Sequence, residues 1–166
     1  MEITNIEMFL KYYNKIRSRT LNVIKCIPHD KMEWTYKQGK FTFGDIIRHL
    51  ATIERYMYAE NAQFKPSKYP GHGQEFASGY EATLKFLNDM HEESIDIFSR
   101  LSIEDLNKKC MTPGGVSITL WKWLRAMIEH EVHHRGQIFI YLGILEVEVP
   151  PLYGLTSEEV LRRSNH

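Results

Sequence analysis

Four stretches of this chain space their apolar side chains at gaps of three and four, and no convincing two-residue alternation occurs anywhere. That pattern limits the available folds more than any other feature, because it is the period of a helix and not of a strand. In the first stretch, Ile6, Phe9, Leu10, Tyr13, Ile16, Thr20, Leu21, Ile24 and Ile27 share one face over residues 3–27. Pro28 stops it, since proline cannot continue the helical hydrogen-bond ladder. The second begins at Thr42, three residues before Asp45, the spacing of an N-terminal cap. It runs to about Asn61 with Phe43, Ile46, Ile47, Leu50, Ile53 and Met57 inward, and His49 lies on or beside that face. Ser78 and Glu81 suggest a capping box for a third helix to about Leu101, with an inner stripe of Leu84, Leu87, Met90, Ser94, Ile97 and Leu101. Ser117 or Thr119 opens a fourth, reaching about Leu145. After Pro150-Pro151, the segment TSEEVLRR predicts a short last helix capped by Thr156 or Ser157.

The connections are long. PHDKMEWTYKQGK places Trp34 as an apolar plug, and residues 63–77 (QFKPSKYPGHGQEFA) hold two prolines and two glycines and must be a loop. A loop of that length is a candidate rim for a binding site. KKCMTPGGVSI, around Pro113-Gly114-Gly115, predicts a turn or short hairpin. The expected fold is all-α: a four-helix bundle with long inter-helix loops, residues 1–166 forming a single domain.

Charge narrows the function. Twenty-one Lys plus Arg balance 21 Asp plus Glu, so the chain lacks the basic excess of a nucleic-acid binder. Cys26 and Cys110 are far apart and form no C-x-x-C pair, which predicts two free thiols and no disulfide scaffold. Glu2, Asn5 and Glu7 interrupt the start, so no secretory leader is expected, and no run of 18 apolar residues suggests a membrane span. The expectation is a cytoplasmic protein.

Of eight histidines, His29, His72 and His166 fall in loops or at the terminus, where exposure is expected, and His91 beside Glu92 and Glu93 is expected on a solvated face. His130 and His134 are four apart, so they stack one turn above the other, about 6 Å along the axis, as in helical H-x-x-x-H metal sites. His133 projects elsewhere. One such pair is weak evidence in a chain with eight histidines; one core and one surface histidine would explain it equally well. Two facts strengthen the metal reading. The pair shares a face with Trp123, Met127, Gln137 or Ile138, and Tyr141, where bare imidazole nitrogens would be buried at a cost. His49 is also placed inward on another helix. Three neutral imidazoles leave a coordination position open, as catalytic zinc sites do.

His49-Leu50-Ala51 after FTFGDII, and HEVHHRGQ at 130–137, resemble the DinB-like family of damage-inducible bacterial proteins, and Trp34 upstream fits the same pattern. The resemblance covers most of the chain. It implies a metal held by His49, His130 and His134, chemistry on low-molecular-weight thiols, and a homodimer. The implied function is a metal-dependent S-transferase in stress response or detoxification, with zinc or nickel as cofactor and a small-molecule substrate, and no nucleic-acid or membrane partner. A metal-dependent hydrolase and a non-catalytic metal-binding module are the alternatives. No catalytic residue is assigned.

Around the triad, Gln137 is expected either to orient a ligand or to fill a polar gap, and Arg135 to pair with Glu131. Gly136, costly inside a helix, is expected at a close helix contact. Glu129 is expected in solvent. Phe139, Tyr141 and Ile144 are more apolar surface than one core needs, which supports the dimer. With imidazoles of ordinary basicity, about pH 6.5, metal affinity is expected to fall below about pH 6.

Overall fold

The computed structural model describes residues 2–165, so the exposure expected of His166 lies outside the described residues. Helix α1 (Ile6–Ile24) starts at Asn5, whose side chain accepts the Met8 N–H at 2.8 Å. Helix α2 (Phe43–Ile53) opens on a reciprocal cap: Thr42 Oγ1 accepts the Asp45 N–H, and Asp45 accepts the Thr42 N–H. The same rod then loosens into a π-helical turn, Glu54–Tyr58, before closing as α3 (Ala59–Ala62). The apolar spacing gives no sign of that turn. Helices α4 (Tyr80–Ser99) and α5 (Ile103–Asn107) follow. Strands β1 (Lys109–Met111) and β2 (Ser117–Thr119) form the expected hairpin, Cys110 opposite Ile118. Helix α6 (Leu120–Ile144) and a short α7 (Ser157–Ser164), capped by Thr156, complete the chain.

Helices α1 and α2 each pack against both α4 and α6, which makes a four-helix bundle. None of the described helices is long and apolar enough to cross a membrane, and both cysteines are free. Trp34 is the plug expected of it, its ring 5.7 Å from Phe43 and 5.8 Å from Tyr141.

Three local expectations fail for physical reasons. Helix α4 is capped by Gly79 rather than Ser78, because the chain enters at φ 80°, a left-handed value that glycine adopts without steric cost. That moves Ser78 and Glu81 out of capping-box register. Gly136 faces the outside, and a Cβ there would meet nothing within 4 Å, so no helix contact within the chain explains it. His91 is not on a solvated face; its Nδ1 lies 2.8 Å from Glu54 in the interior.

The core has two apolar halves. One gathers Phe9, Tyr13, Ile16, Phe98, Leu106, Leu120, Leu124 and Met127. The other gathers Val23, Ile24, Phe43, Ile46, Ile47, Leu87, Ile138 and Leu142. Between them every long helix contributes buried polar groups: Arg17 and Thr20 from α1, Ser94 from α4, Glu131, His134 and Arg135 from α6, and Glu54 just beyond α2. This polar belt crosses the bundle at mid-height, and the candidate site is part of it.

Candidate metal centre

The α6 period brings His130 and His134 to the face that meets α2, where His49 follows directly after the buried Arg48. His134 Nε2 lies 3.0 Å from His130 Nε2, and His130 Nε2 lies 3.2 Å from His49 Nε2. One ring nitrogen from each of the three lies within 4.8 Å of the others, so the structure brings together the three histidines singled out in the sequence. His133 is exposed, although its ring still touches that of His134.

The proton inventory of the three rings favours a cation over mutual hydrogen bonding. His134 Nδ1 is 2.7 Å from Gln137 Oε1, an acceptor, so Nδ1 carries the ring proton and Nε2 offers only a lone pair. His130 Nε2 has at most one proton, yet it faces two other ring nitrogens. A single cation would satisfy all three lone pairs. Nitrogens held at ~2.0–2.1 Å around tetrahedral zinc stand about 3.3 Å apart, close to the two Nε2 separations found here. The residues therefore fit a divalent transition metal.

Electrostatics act in the same direction. Burial, followed by the neighbouring His134 and His130, pushes His49 down to about 3. Burial, His134 and His133 bring His130 to about 4. Burial also lowers His134, although its hydrogen bond to Gln137 opposes the shift. All three rings are therefore neutral at ordinary pH, as ligands must be.

Beside the triad, His134 and Gln137 form part of an open cleft of about 650 Å³, walled by Tyr36, Phe41, Ile140 and Tyr141 with Lys40 at its edge. A larger groove of about 900 Å³, between the 63–79 loop and the hairpin, is lined by no histidine. Of the alternatives left open for Gln137, the contact it makes, with His134 Nδ1, is the one that orienting that ring requires. Arg135 does not pair with Glu131; its guanidinium is buried and points to the Ile16 carbonyl at 3.5 Å, while Glu131 pairs with Arg17 at 3.1 Å. Glu129 is in solvent beside Arg125, as expected.

Sequence reasoning missed two residues of this site. Tyr69 Oη lies 2.7 Å from His49 Nδ1 and 3.1 Å from His72 Nδ1. Both come from the proline- and glycine-rich loop, whose length marked it as a rim but whose irregular backbone gave no spacing from which to align side chains.

A four-helix bundle with three inward histidines on two of its helices defines a recognisable class. The chain belongs to the DinB superfamily, whose family model matches residues 12–138. No curated protein matches the sequence. Among solved structures, a DinB-like protein from Bacillus cereus ATCC 10987 shares the fold at 18% identity, TM-score 0.73, over 89% of this chain and 97% of that one. A DinB-like protein from Bacillus subtilis does so at 17% identity, TM-score 0.71, over 87% and 97%. A mycothiol-dependent maleylpyruvate isomerase is more distant, at 13% identity and TM-score 0.64, covering 81% of this chain and 60% of the isomerase.

Proposed function

We propose that this protein is a cytoplasmic metal-dependent enzyme that transfers a low-molecular-weight thiol onto an electrophile, in stress response or detoxification. His49, His130 and His134 would hold the metal, zinc or nickel. The observation that carries the reading is the convergence of three neutral ring nitrogens beside an open cleft. A bound divalent metal would supply Lewis acidity, lowering the pKa of a thiol so that its thiolate is available at neutral pH. The chain's own residues do the rest. Gln137 fixes the His134 tautomer, and burial keeps the imidazoles unprotonated. Tyr36, Phe41, Ile140 and Tyr141 cover the organic part of a substrate, and Lys40 meets an acidic group on it. That a mycothiol-dependent isomerase has the same fold supports the choice of a thiol.

One observation favours a second reading, a non-catalytic metal-binding module: among the described residues no carboxylate lines the cleft. The deciding experiment loads the protein with zinc or nickel and assays it with an activated electrophile and a thiol. Turnover that chelation abolishes and metal restores supports the enzyme. Stoichiometric metal without turnover selects the module, and failure to take up either metal overturns both. We also propose that two copies pair through the outer face of α6, where Val132 and Phe139 are exposed; Tyr141 is buried within the chain, and Ile144, although exposed, lines the cleft. Light scattering that shows a monomer at micromolar concentration would exclude the pair.

A further inference from the structure

The three histidines are not supported alike. The second nitrogen of His134 is held from within its own helix, by Gln137 one turn on. The second nitrogen of His49 is held from outside its helix, by Tyr69 of the 63–79 loop. A phenol has one proton, so with ring nitrogens on both sides Tyr69 donates to one and accepts from the other. If His49 Nε2 faces a metal, the His49 ring proton sits on Nδ1 and is donated to Tyr69 Oη. Tyr69 then donates its own proton to His72 Nδ1, and His72 keeps its ring proton on Nε2. The chain of three groups has one direction compatible with metal binding, and His72 is what completes it.

The loop is held to α2 beside the histidine it supports. Arg48 is fully buried, and all five of its N–H donors are used. Two of them reach the loop backbone, at the His72 carbonyl (2.8 Å) and the Ala77 carbonyl (3.0 Å). The others go to Glu33 and Asp45, whose charges make a buried guanidinium tolerable. Thr52 Oγ1 donates to the Gly71 carbonyl at 2.7 Å. The His72 ring packs against Phe41, centroids 4.2 Å apart. His49 is thus flanked on α2 by two residues that tie down the backbone of the loop carrying its outer partner. A loop that served only as a connection would not need a buried arginine to hold its backbone.

We infer that Tyr69 and His72 are positioning residues of the metal centre: the Tyr69–His72 pair fixes the tautomer and ring plane of His49 so that Nε2 faces the other two histidines. The inference rests on the three-histidine metal reading, and its test separates the two. Zinc affinity is measured by competition with a chromophoric chelator for wild type, Tyr69→Phe and His72→Phe, and the His49 ring nitrogen shifts are recorded by NMR with and without zinc. Tyr69→Phe should weaken zinc binding roughly 10- to 100-fold, as losing an outer partner of a ligating histidine does; His72→Phe should weaken it by a smaller factor. In both variants the His49 nitrogens should move away from the wild-type Nδ1–H signature, a change that general loosening of the loop would not produce. Tyr69→Phe binding zinc within twofold of wild type, with unchanged ring shifts, overturns the inference. If wild type takes up no zinc, the metal reading fails first. The ring shifts of the metal-free protein then decide: altered His49 shifts in Tyr69→Phe sustain the positioning role, and unaltered ones end it.

Discussion

His130 and Glu131 are adjacent in α6 but belong to two different polar clusters of the same belt. Glu131 joins a cluster in which opposite charges meet within the protein: Arg17 meets both Glu54 and Glu131, Thr20 donates to Glu131 at 2.7 Å, and His91 sits on Glu54 at 2.8 Å. Burial raises the Glu54 carboxyl, but Arg17 and His91 outweigh it and hold the group below its ordinary value. Even there the geometry is incomplete, since Arg17 Nε and Nη1 find no acceptor. The histidine cluster has the opposite character. It carries no countercharge, and its inner nitrogens face one another. Buried polarity alone therefore does not mark a functional site. The first cluster sets its carboxylates against a cation of the same chain, whereas the second gathers converging ring nitrogens with no charged partner.

This contrast can be broken most directly at His134. His134→Ala should abolish stoichiometric metal, a larger loss than the roughly 10- to 100-fold expected on removing an outer partner, while circular dichroism shows an unchanged helical fold. Full metal content in that variant would remove His134 from the site. The converse substitution, Arg17→Met, should strand Glu54 and Glu131 without their cation and cost about 3–5 kcal/mol in urea unfolding, yet leave one metal per chain. A cost below about 1 kcal/mol would show that the ionic cluster is not held together as described.

Acid sharpens the comparison further. His49 and His130 titrate near 3 and 4 in the metal-free fold, below the ~6.5 of an unfolded chain. Between those limits the unfolded state binds more protons, so metal-free stability should be complete above about pH 6.5 and decline as pH falls towards 4. His130→Gln should flatten that decline in urea midpoints; an equally steep profile would mean that other groups drive it. The same depressed values revise the expectation of metal loss below about pH 6. Protons should compete for the folded site only towards pH 4, with more than one taken up per metal released. The smallest effect belongs to His133→Gln, which should keep metal content and move the pH profile only slightly upward, since His133 supplies a minor part of the depression of His130 and His134. Loss of metal there would mean that the wrong face of α6 had been assigned.

Where the backbone is periodic, the sequence was readable. The 3.6-residue repeat placed the four long helices, Thr42 and Thr156 marked real caps, and the spacing of His130 and His134 put both rings on the face that meets His49. Readings failed where a residue's partner comes from an element remote in sequence. His91 looked solvated beside two glutamates because nothing local announces Glu54, 37 positions away. Arg135 looked paired with Glu131 because an i, i+4 match is visible locally, whereas Arg17, the actual partner of Glu131, is on another helix. Tyr69 and His72 reach His49 only through the irregular path of a loop. Ser78 failed for a different reason: the left-handed entry at Gly79 shifted the cap by one position.

The π turn at Glu54–Tyr58 has a consequence for how this chain can change length. Such a turn accommodates one residue more than α-helical winding needs. A single-codon deletion within it would let the rod close as ordinary helix with both flanks close to their present orientation, whereas the same deletion in an α-helical stretch would turn everything downstream by about 100° and draw it back by about 1.5 Å. His49, upstream, would keep its place against His130 and His134. Asn61, downstream, would stay close to Trp123, whose indole N–H it now accepts at 3.1 Å. The turn is therefore a place where a lineage could shed one residue in a single event and still pass on both the histidine face and the downstream docking.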